Sequence, residues 1–200
     1  MKMLNKAADI IRGGGVVILA TETFYALGAD PSCDDAVARI FAIKGRSPAK
    51  PLPLIASDIA VVLGHLRNPS ALTRCLAETF WPGSLTLVVQ FNMPFAKGIE
   101  GPNGTIGVRV PPHCPSRYVA SLAGGWLTAT SANLSGEDPP DRVSAMPEVL
   151  IRAVDLVVDS GPTPGGLPST IVEPLGQRYS ILRQGVVGLD DIENVFQGCL

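Results

Sequence analysis

The sequence predicts an α/β protein in which helices cover a mixed β-sheet. Two observations predict this class. Helical stripes of apolar residues alternate along the chain with short continuous apolar runs, which are typical of strands buried on both faces. Of the 200 residues, 46% are hydrophobic and only 17% are charged, as expected for a compact globular core. This length suits one sizeable domain, so we predict a single domain over residues 1–200.

The first predicted elements are a helix, a strand and a second helix. Apolar residues recur at helical spacing over residues 4–11, and this helix ends at the glycines 13–15. The run VVILA at 16–20 predicts a fully buried strand. The second helix is predicted over Asp34–Lys44, with Ser32 as its N-terminal cap.

The alternation continues along the rest of the chain. The run LPLIA at 52–56 predicts a strand, and Pro53 places it near a sheet edge or a strand start because proline has no backbone N–H. Further strands are predicted at 85–91, 106–110, 127–130, 156–158, 170–172 and 180–182. Further helices are predicted at 59–66, 70–80, 116–122, 144–151 and 189–196. The stretch GPTPGGLP is interpreted as a shaped loop between strands.

Charge and hydropathy limit the class of protein. A net charge of −2 argues against binding nucleic acid by bulk electrostatics, so any anion site must be local. No apolar run approaches the length of a membrane span. Lys6, Asp9 and Arg12 interrupt the N-terminal region, which therefore does not resemble a signal peptide. We expect a cytoplasmic protein that does not bind membranes.

The residues that could bind metal show no ligand spacing. The histidines, His65 and His113, have no evident ligand neighbours, and we predict that both face solvent. No phosphate-loop, dinucleotide or zinc-protease motif is present. Ser131 has no positioned base in the sequence, which disfavours a serine hydrolase. The cysteines form no CxxC pair, so we expect free thiols rather than a metal site or disulfides; they are Cys33, Cys75, Cys114 and Cys199.

Polar clusters stand at the ends of several predicted strands. Loops converge at strand ends in open α/β sheets, and ligands bind there. Together the clusters therefore predict a binding site, although any one of them could be ordinary loop polarity. Their members are Thr21, Glu22, Thr23 and Tyr25 after VVILA, Arg109 after IGV, Ser131 to Gly136 after WLTAT, Ser169 before TIVE and Arg183 after SIL.

The segment KGRSPAK concentrates positive charge in a slightly acidic chain. Lys44 and Arg46 lie two residues apart, so in an extended segment their side chains point the same way, and Lys50 follows across a short loop. On a solvated helix face, such basic residues would alternate with acidic ones, and this segment contains no acidic residue. Removing a polyphosphate from water requires cations at short range, and the segment predicts such an anion clamp.

Seven segments in order resemble the YrdC-like threonylcarbamoyl-AMP synthases. They are TETFYALGAD, IFAIKGRSPAKPLPLI, WPGSLTLVV, GVRVPPH, TSANLSG, PSTIVE and ILRQG. The resemblance implies a twisted mixed β-sheet that has helices on both of its sides and surrounds an electropositive cavity. It also implies a single-domain member without the extra C-terminal domain of longer ones. It implies synthesis of threonylcarbamoyl-adenylate and pyrophosphate from L-threonine, bicarbonate and ATP, with Mg²⁺ on the ATP, for the t6A modification of tRNA. Its implied partners are proteins that transfer the group to tRNA.

The resemblance also implies roles for individual residues. The catalytic set is Lys44 and Arg46, which would hold the phosphates, with Ser131 and Asn133, which would complete the nucleotide site. The other ATP-contacting positions are Lys50, Thr105, Ala129 and Arg183, and the threonine-contacting positions are Thr23, Arg109 and Ser169. No metal-binding side chain is implied.

Departures from the family pattern keep other hypotheses open. Ala20, Ile55, Pro139 and Pro168 replace residues that are usual or frequent in the family, which leaves threonine specificity open. One alternative is an RNA-binding module that uses the cationic cavity for tRNA or double-stranded RNA. Another is a paralogue with a different carbamoyl-adenylate activity, as in hydrogenase-maturation carbamoyltransferases.

Overall fold

The computed structural model describes residues 1–199; residue 200 lies outside the described residues. The helices are α1 (Lys2–Arg12), α2 (Asp34–Lys44), α3 (Ile59–Leu63), α4 (Ala71–Phe80), α5 (Pro115–Leu122), α6 (Glu148–Ala153) and α7 (Leu189–Gly198), with a 3₁₀ helix at Val143–Ala145. The strands are β1 (Val17–Ala20), β2 (Tyr25–Gly28), β3 (Leu54–Ala56), β4 (Leu85–Gln90), β5 (Thr105–Arg109), β6 (Trp126–Thr128), β7 (Thr130–Ser131), β8 (Leu156–Val157), β9 (Thr170–Pro174) and β10 (Tyr179–Arg183). The predicted α/β class is confirmed.

The strands form two mixed sheets. The first has the order β7-β2-β1-β8, and the second has the order β10-β9-β4-β5-β3-β6. Ala129 lies between β6, at one edge of the second sheet, and β7, at one edge of the first. Its N–H donates to the carbonyl of Pro53, 2.8 Å away. The chain therefore crosses from one sheet to the other within one residue, which brings their edges together.

Strand β1 is buried on both faces, as its continuous apolar run predicts. Ile18 packs in the larger core cluster with residues of β2 and α2. Its neighbours Val17 and Leu19 point the opposite way, into a second cluster with apolar side chains of α1 and α5. Helix α2 on one face and helices α1 and α5 on the other thus help to cover this strand.

Three secondary-structure predictions were wrong in detail. Strand β2, which pairs antiparallel with β1, was missed because four residues after a tight polar turn give little periodicity. The helix predicted at 144–151 is divided by Pro147 into the 3₁₀ helix and α6. The side chain of Ser32 does not cap α2: it donates to Asp30 Oδ1, and Cys33 is the N-cap residue.

The expectation of four free thiols is also wrong. Cys75 of α4 and Cys199, directly after α7, form a disulfide across 124 residues of sequence, with their Cα atoms 6.5 Å apart. The packing of α4 against α7 creates this proximity, which sequence spacing does not encode. Cys33 and Cys114 are free.

The placement of the histidines agrees with the prediction. His65 and His113 are both exposed, as predicted. Within residues 1–199, no group of three or more His, Cys, Asp or Glu side chains is placed to hold a metal ion. Over the same residues, no helix has both the length and the apolar character that crossing a membrane demands.

Candidate functional site

A cavity of about 610 Å³ lies between the two sheets. Alternate residues of the second sheet form one wall, because side chains on a strand point to opposite faces in turn. Register pairs Val88 of β4 with Gly107 of β5, and both line the cavity. The other wall residues from these strands and β9 are Thr86, Thr105, Arg109, Ile171 and Glu173.

The first sheet and its turns supply the opposite wall. Thr21 closes the turn between β1 and β2: its hydroxyl accepts from the N–H groups of Thr23 and Phe24, each at 3.2 Å. This turn directs Thr23 into the cavity, where it is 6% exposed. Tyr25 also lines the wall, and its hydroxyl donates to the carbonyl of Gly161 at 2.6 Å. The Gly/Pro-rich loop is thus fixed against the site.

Lys44 lies beneath the Ser131–Asn133 segment and does not line the cavity. It is 2% exposed. Its Nζ donates to the Asn133 carbonyl at 2.7 Å and to Asn133 Oδ1 at 3.1 Å, and its third bond goes to the Ser131 carbonyl. Burial, aided by nearby Arg46, lowers the pKa of Lys44 to about 8. In this structure Lys44 therefore braces the segment, and its predicted phosphate contact stays a prediction.

Ser131 and Asn133 form a linked pair in the cavity wall. The Ser131 hydroxyl donates to Asn133 Oδ1, and the Asn133 amide donates to the Glu137 carbonyl. These hydrogen bonds fix the orientation of the Ser131 hydroxyl and of the Asn133 side-chain amide. The structure thus brings Lys44, Ser131 and Asn133 together, although they come from segments 87 or more residues apart.

Arg46 lines the cavity, whereas Lys50 is exposed and does not line it. The guanidinium of Arg46 donates to the carbonyls of Lys50 and Pro51, each at 3.0 Å. Gly45, with φ 56°, ends α2 in a left-handed turn, which directs Arg46 away from the helix. Burial lowers the pKa of Arg46. The two predicted cations therefore lie in different places. Backbone carbonyls hold the Arg46 guanidinium at the cavity wall, whereas Lys50 lies outside the cavity.

Arg109 ends β5 and forms a buried ion pair with Glu22. Its Nε donates to Glu22 Oε1 at 2.8 Å, and the two side chains are only 7% and 6% exposed. Arg109 lines the cavity, but Glu22 does not. A buried cation needs a partner of this kind, and the turn between β1 and β2 supplies it.

Arg183, at the end of β10, lies beside Ser169. Its Nη2 donates to the Ser169 carbonyl at 2.8 Å and to the Ser169 hydroxyl at 3.1 Å. The Ser169 hydroxyl also lies 2.9 Å from that of Thr86. Burial and the charge of nearby Arg109 lower the pKa of Arg183. All four residues line the cavity.

The remaining predicted positions, Thr105 and Ala129, also line the cavity. Of the eleven predicted site residues, nine contribute to its wall, and Lys44 and Lys50 do not. The wall includes three arginines (Arg46, Arg109 and Arg183) and two glutamates (Glu137 and Glu173). Such an arrangement can hold a multiply charged anion with hydroxyl and backbone groups around it.

Comparisons with known proteins agree with this fold. A model of the Sua5/YciO/YrdC family, described as "Telomere recombination", matches residues 9–185. The chain belongs to this family. It is 33% identical over 189 residues to a threonylcarbamoyl-AMP synthase of Pyrococcus abyssi, covering 94% of this chain and 56% of that protein. It is also 33% identical to one of Bacillus subtilis, covering 96% of this chain and 56% of that protein.

A solved structure of P. abyssi Sua5 with L-threonine superposes closely. The TM-score is 0.89 at 32% identity, covering 96% of this chain and 56% of that one. The chain therefore spans a little over half the length of these Sua5/YciO/YrdC relatives.

The departures from the family pattern divide by location. Pro139 and Pro168 line the cavity, so they shape the site directly. Ile55 is fully buried in the smaller core cluster and does not line the cavity. Ala20 is 5% exposed and packs in the larger core cluster. Two of the four substitutions thus bear on the site and two on the core.

Sequence reasoning missed the partners of the predicted site residues. Glu22 was noticed only as a member of a polar cluster, and nothing in the sequence links it to Arg109. Thr86 and Glu173 lie in the segments WPGSLTLVV and PSTIVE, but neither was assigned to the site. For Thr86, a usable signal was that two polar residues, Thr86 and Gln90, lie on one face of β4, because polar residues on one face of a strand indicate that this face is not wholly packed in the core.

Proposed function

We propose that this chain is an L-threonylcarbamoyladenylate synthase that joins L-threonine, bicarbonate and ATP. One observation carries the proposal: Arg46, Arg109 and Arg183, from three separate segments, line one cavity together with Thr23 and Ser169. A nucleotide triphosphate and an amino acid together present several anionic groups, and such groups need fixed cations when they leave water. The names of the relatives support the same activity.

In the proposed complex, the nucleotide and the amino acid occupy adjoining parts of the cavity, because Arg183 on the phosphate side donates to Ser169 on the threonine side. Arg46 and Arg183 bind phosphates from the cavity wall, and the exposed Lys50 contacts a phosphate from outside that wall. Thr105, Ala129, Ser131 and Asn133 contact the rest of the nucleotide. Lys44 supports Ser131 and Asn133 from below. Thr23, Arg109 and Ser169 bind threonine, with Arg109 on its carboxylate, because a planar guanidinium matches a carboxylate in two-point contact.

The chemistry needs no protein nucleophile. The amine of threonine adds to CO₂ derived from bicarbonate and loses a proton, which gives a carbamate. A carbamate oxygen then attacks the α-phosphorus, the bond to the β-phosphate breaks, and pyrophosphate leaves. The arginines stabilise charge on the phosphates, and the walls align the reacting groups.

Magnesium enters the proposal as part of the ATP substrate. Mg²⁺ keeps water and phosphate oxygens as ligands and needs only one or two protein carboxylates. The cavity can meet this requirement, because Glu137 lies in its wall and could supply one carboxylate. Bound in this way, Mg²⁺ would neutralise charge on the leaving pyrophosphate.

The wider setting of the reaction is also a proposal. The product would serve t6A modification of tRNA, through proteins that receive the unstable adenylate, in the cytoplasm and within one domain over residues 1–200. Direct binding of tRNA or double-stranded RNA is the alternative to test. Such binding would weaken steeply with added salt.

A pyrophosphate-release assay tests the activity. Release should require ATP, threonine and bicarbonate together, and omitting threonine or bicarbonate should abolish it. Release that continues without threonine would point to a different carbamoyl-adenylate activity. No release under any condition, with salt-sensitive RNA binding, would favour the RNA-binding alternative.

Replacement of Arg46 tests the phosphate site. Arg46→Ala should lower kcat about 100-fold or more, the scale for loss of one fixed electrostatic donor. Arg152→Ala is the control, because Arg152 is exposed and pairs only with Glu148 on α6. Near-normal turnover of Arg46→Ala would remove Arg46 from the catalytic set.

A further inference from the structure

We propose that Glu22 is a positioning residue that fixes Arg109 for the carboxylate of the amino-acid substrate. The inference rests on the proposed function and assigns a role to a side chain outside the cavity wall. It starts from the buried ion pair, in which Arg109 Nε donates to Glu22 Oε1 at 2.8 Å.

Glu22 is itself held in place by its turn. The neighbouring residue Thr21 binds two backbone N–H groups and donates to the Phe24 carbonyl at 2.7 Å. The turn belongs to the first sheet, and Arg109 belongs to the second. The ion pair therefore sets the angle of the guanidinium from the opposite side of the cavity, independently of the strand that carries Arg109.

The contact uses one hydrogen bond of the guanidinium and leaves the others available. Only Nε of Arg109 binds Glu22, and Glu22 Oε2 is buried with no hydrogen-bond partner among residues 1–199. A two-point ion pair would satisfy Oε2, but it would also engage one terminal Nη group. The observed one-point contact orients the guanidinium of Arg109 through its Nε and leaves both Nη groups available for a ligand carboxylate.

Two nearly isosteric substitutions separate positioning from general stability. Glu22→Met fills the same volume without an acceptor, whereas Glu22→Gln keeps a carbonyl oxygen for Arg109 Nε. In the pyrophosphate assay, Glu22→Met should raise the KM for threonine at least about tenfold, the scale for loss of a hydrogen bond to a charged group. Glu22→Gln should restore most of this loss, leaving KM within about threefold of wild type. The KM for ATP should change less than about twofold in both, because Glu22 acts only through Arg109.

The matched control is Glu148→Gln, which alters an exposed glutamate on α6 and should leave both KM values unchanged. Equal threonine KM values in Glu22→Met and Glu22→Gln would overturn the inference, as would a parallel rise in the KM for ATP. If the wild type itself releases no threonine-dependent pyrophosphate, the proposed function fails instead. Should Glu22→Met not fold, Glu22→Ala gives the same contrast with Glu22→Gln.

A measurement on the wild-type chain does not depend on any variant folding. The Nε–H proton of Arg109, observed by NMR, should exchange slowly with water both before and after threonine is added, because Glu22 holds it throughout. Fast exchange in either state would overturn the inference.

Discussion

At the scale of single residues, the most consequential side chain is the buried Lys44. Its ammonium group has three acceptors in the Ser131–Asn133 segment, and a neutral amine has only two N–H groups to donate. Because its pKa is lowered to about 8 by burial and by Arg46, deprotonation falls within an accessible pH range. Above that pKa, the Ser131–Asn133 segment should therefore lose one of the three hydrogen bonds that Lys44 donates to it.

Lys44 therefore predicts a pH dependence. At saturating threonine, kcat/KM for ATP should fall as pH rises through about 8. The contribution of Lys44 to folding stability should change in the opposite sense. Its pKa is lower in the folded state, so the unfolded chain binds more protons between about 8 and 10.5 and stability rises with pH there. Rate profiles and denaturation from pH 7 to 10 measure both.

Lys44→Arg is the matched variant for this prediction, because an arginine stays charged over the whole range. The fall near pH 8 should disappear from its profile. If kcat/KM of Lys44→Arg still falls near pH 8, the titrating group must be another one, such as the amine of the substrate.

At the scale of elements, the end of β10 approaches the start of β9 too closely for a side chain. A Cβ atom on Gly185 would lie 2.0 Å from the Pro168 carbonyl oxygen and 2.6 Å from the Ser169 carbonyl carbon. Backbone atoms at such distances must move. The absence of a side chain at Gly185 thus lets Ser169 and Arg183 meet at the cavity wall.

Gly185→Ala should displace Ser169 and reduce both stability and activity. We expect a loss of roughly 1–3 kcal/mol of unfolding free energy, the usual scale for overpacking, with a higher KM for threonine. Chemical denaturation and the pyrophosphate assay measure the two effects. Gly198→Ala is the control, because a Cβ there meets no atom within 4 Å. Wild-type stability and activity of Gly185→Ala would contradict the prediction and show that the backbone at Pro168 and Ser169 moves without cost.

At the scale of the whole molecule, the site lies between two sheets that meet at Ala129. A ligand that fills the cavity should therefore tie the sheets together. With ATP and threonine bound, amide hydrogen exchange should slow roughly tenfold or more in β2 and β7 of one sheet and in β4 and β5 of the other. Amides of α1, on the far face of β1, provide the internal control and should change less. Protection confined to one sheet would place the ligand elsewhere.

The sequence by itself determined the α/β class and most element positions, because periodicity is a local signal. The family resemblance of its segments supplied eleven site residues, and nine of these line the cavity. Only the tertiary structure decided that there are two sheets and that Cys75 bonds to Cys199. It also decided that Lys44 lies beneath the Ser131–Asn133 segment while Arg46 lines the cavity. It alone supplied the partners, Glu22 for Arg109 and Thr86 for Ser169. The disulfide, the contacts of Lys44 and the two partner pairs each join residues 83 or more positions apart, and packing, rather than local chain chemistry, selects such contacts. The orientation of Arg46 is local, because Gly45 and the carbonyls of Lys50 and Pro51 set it.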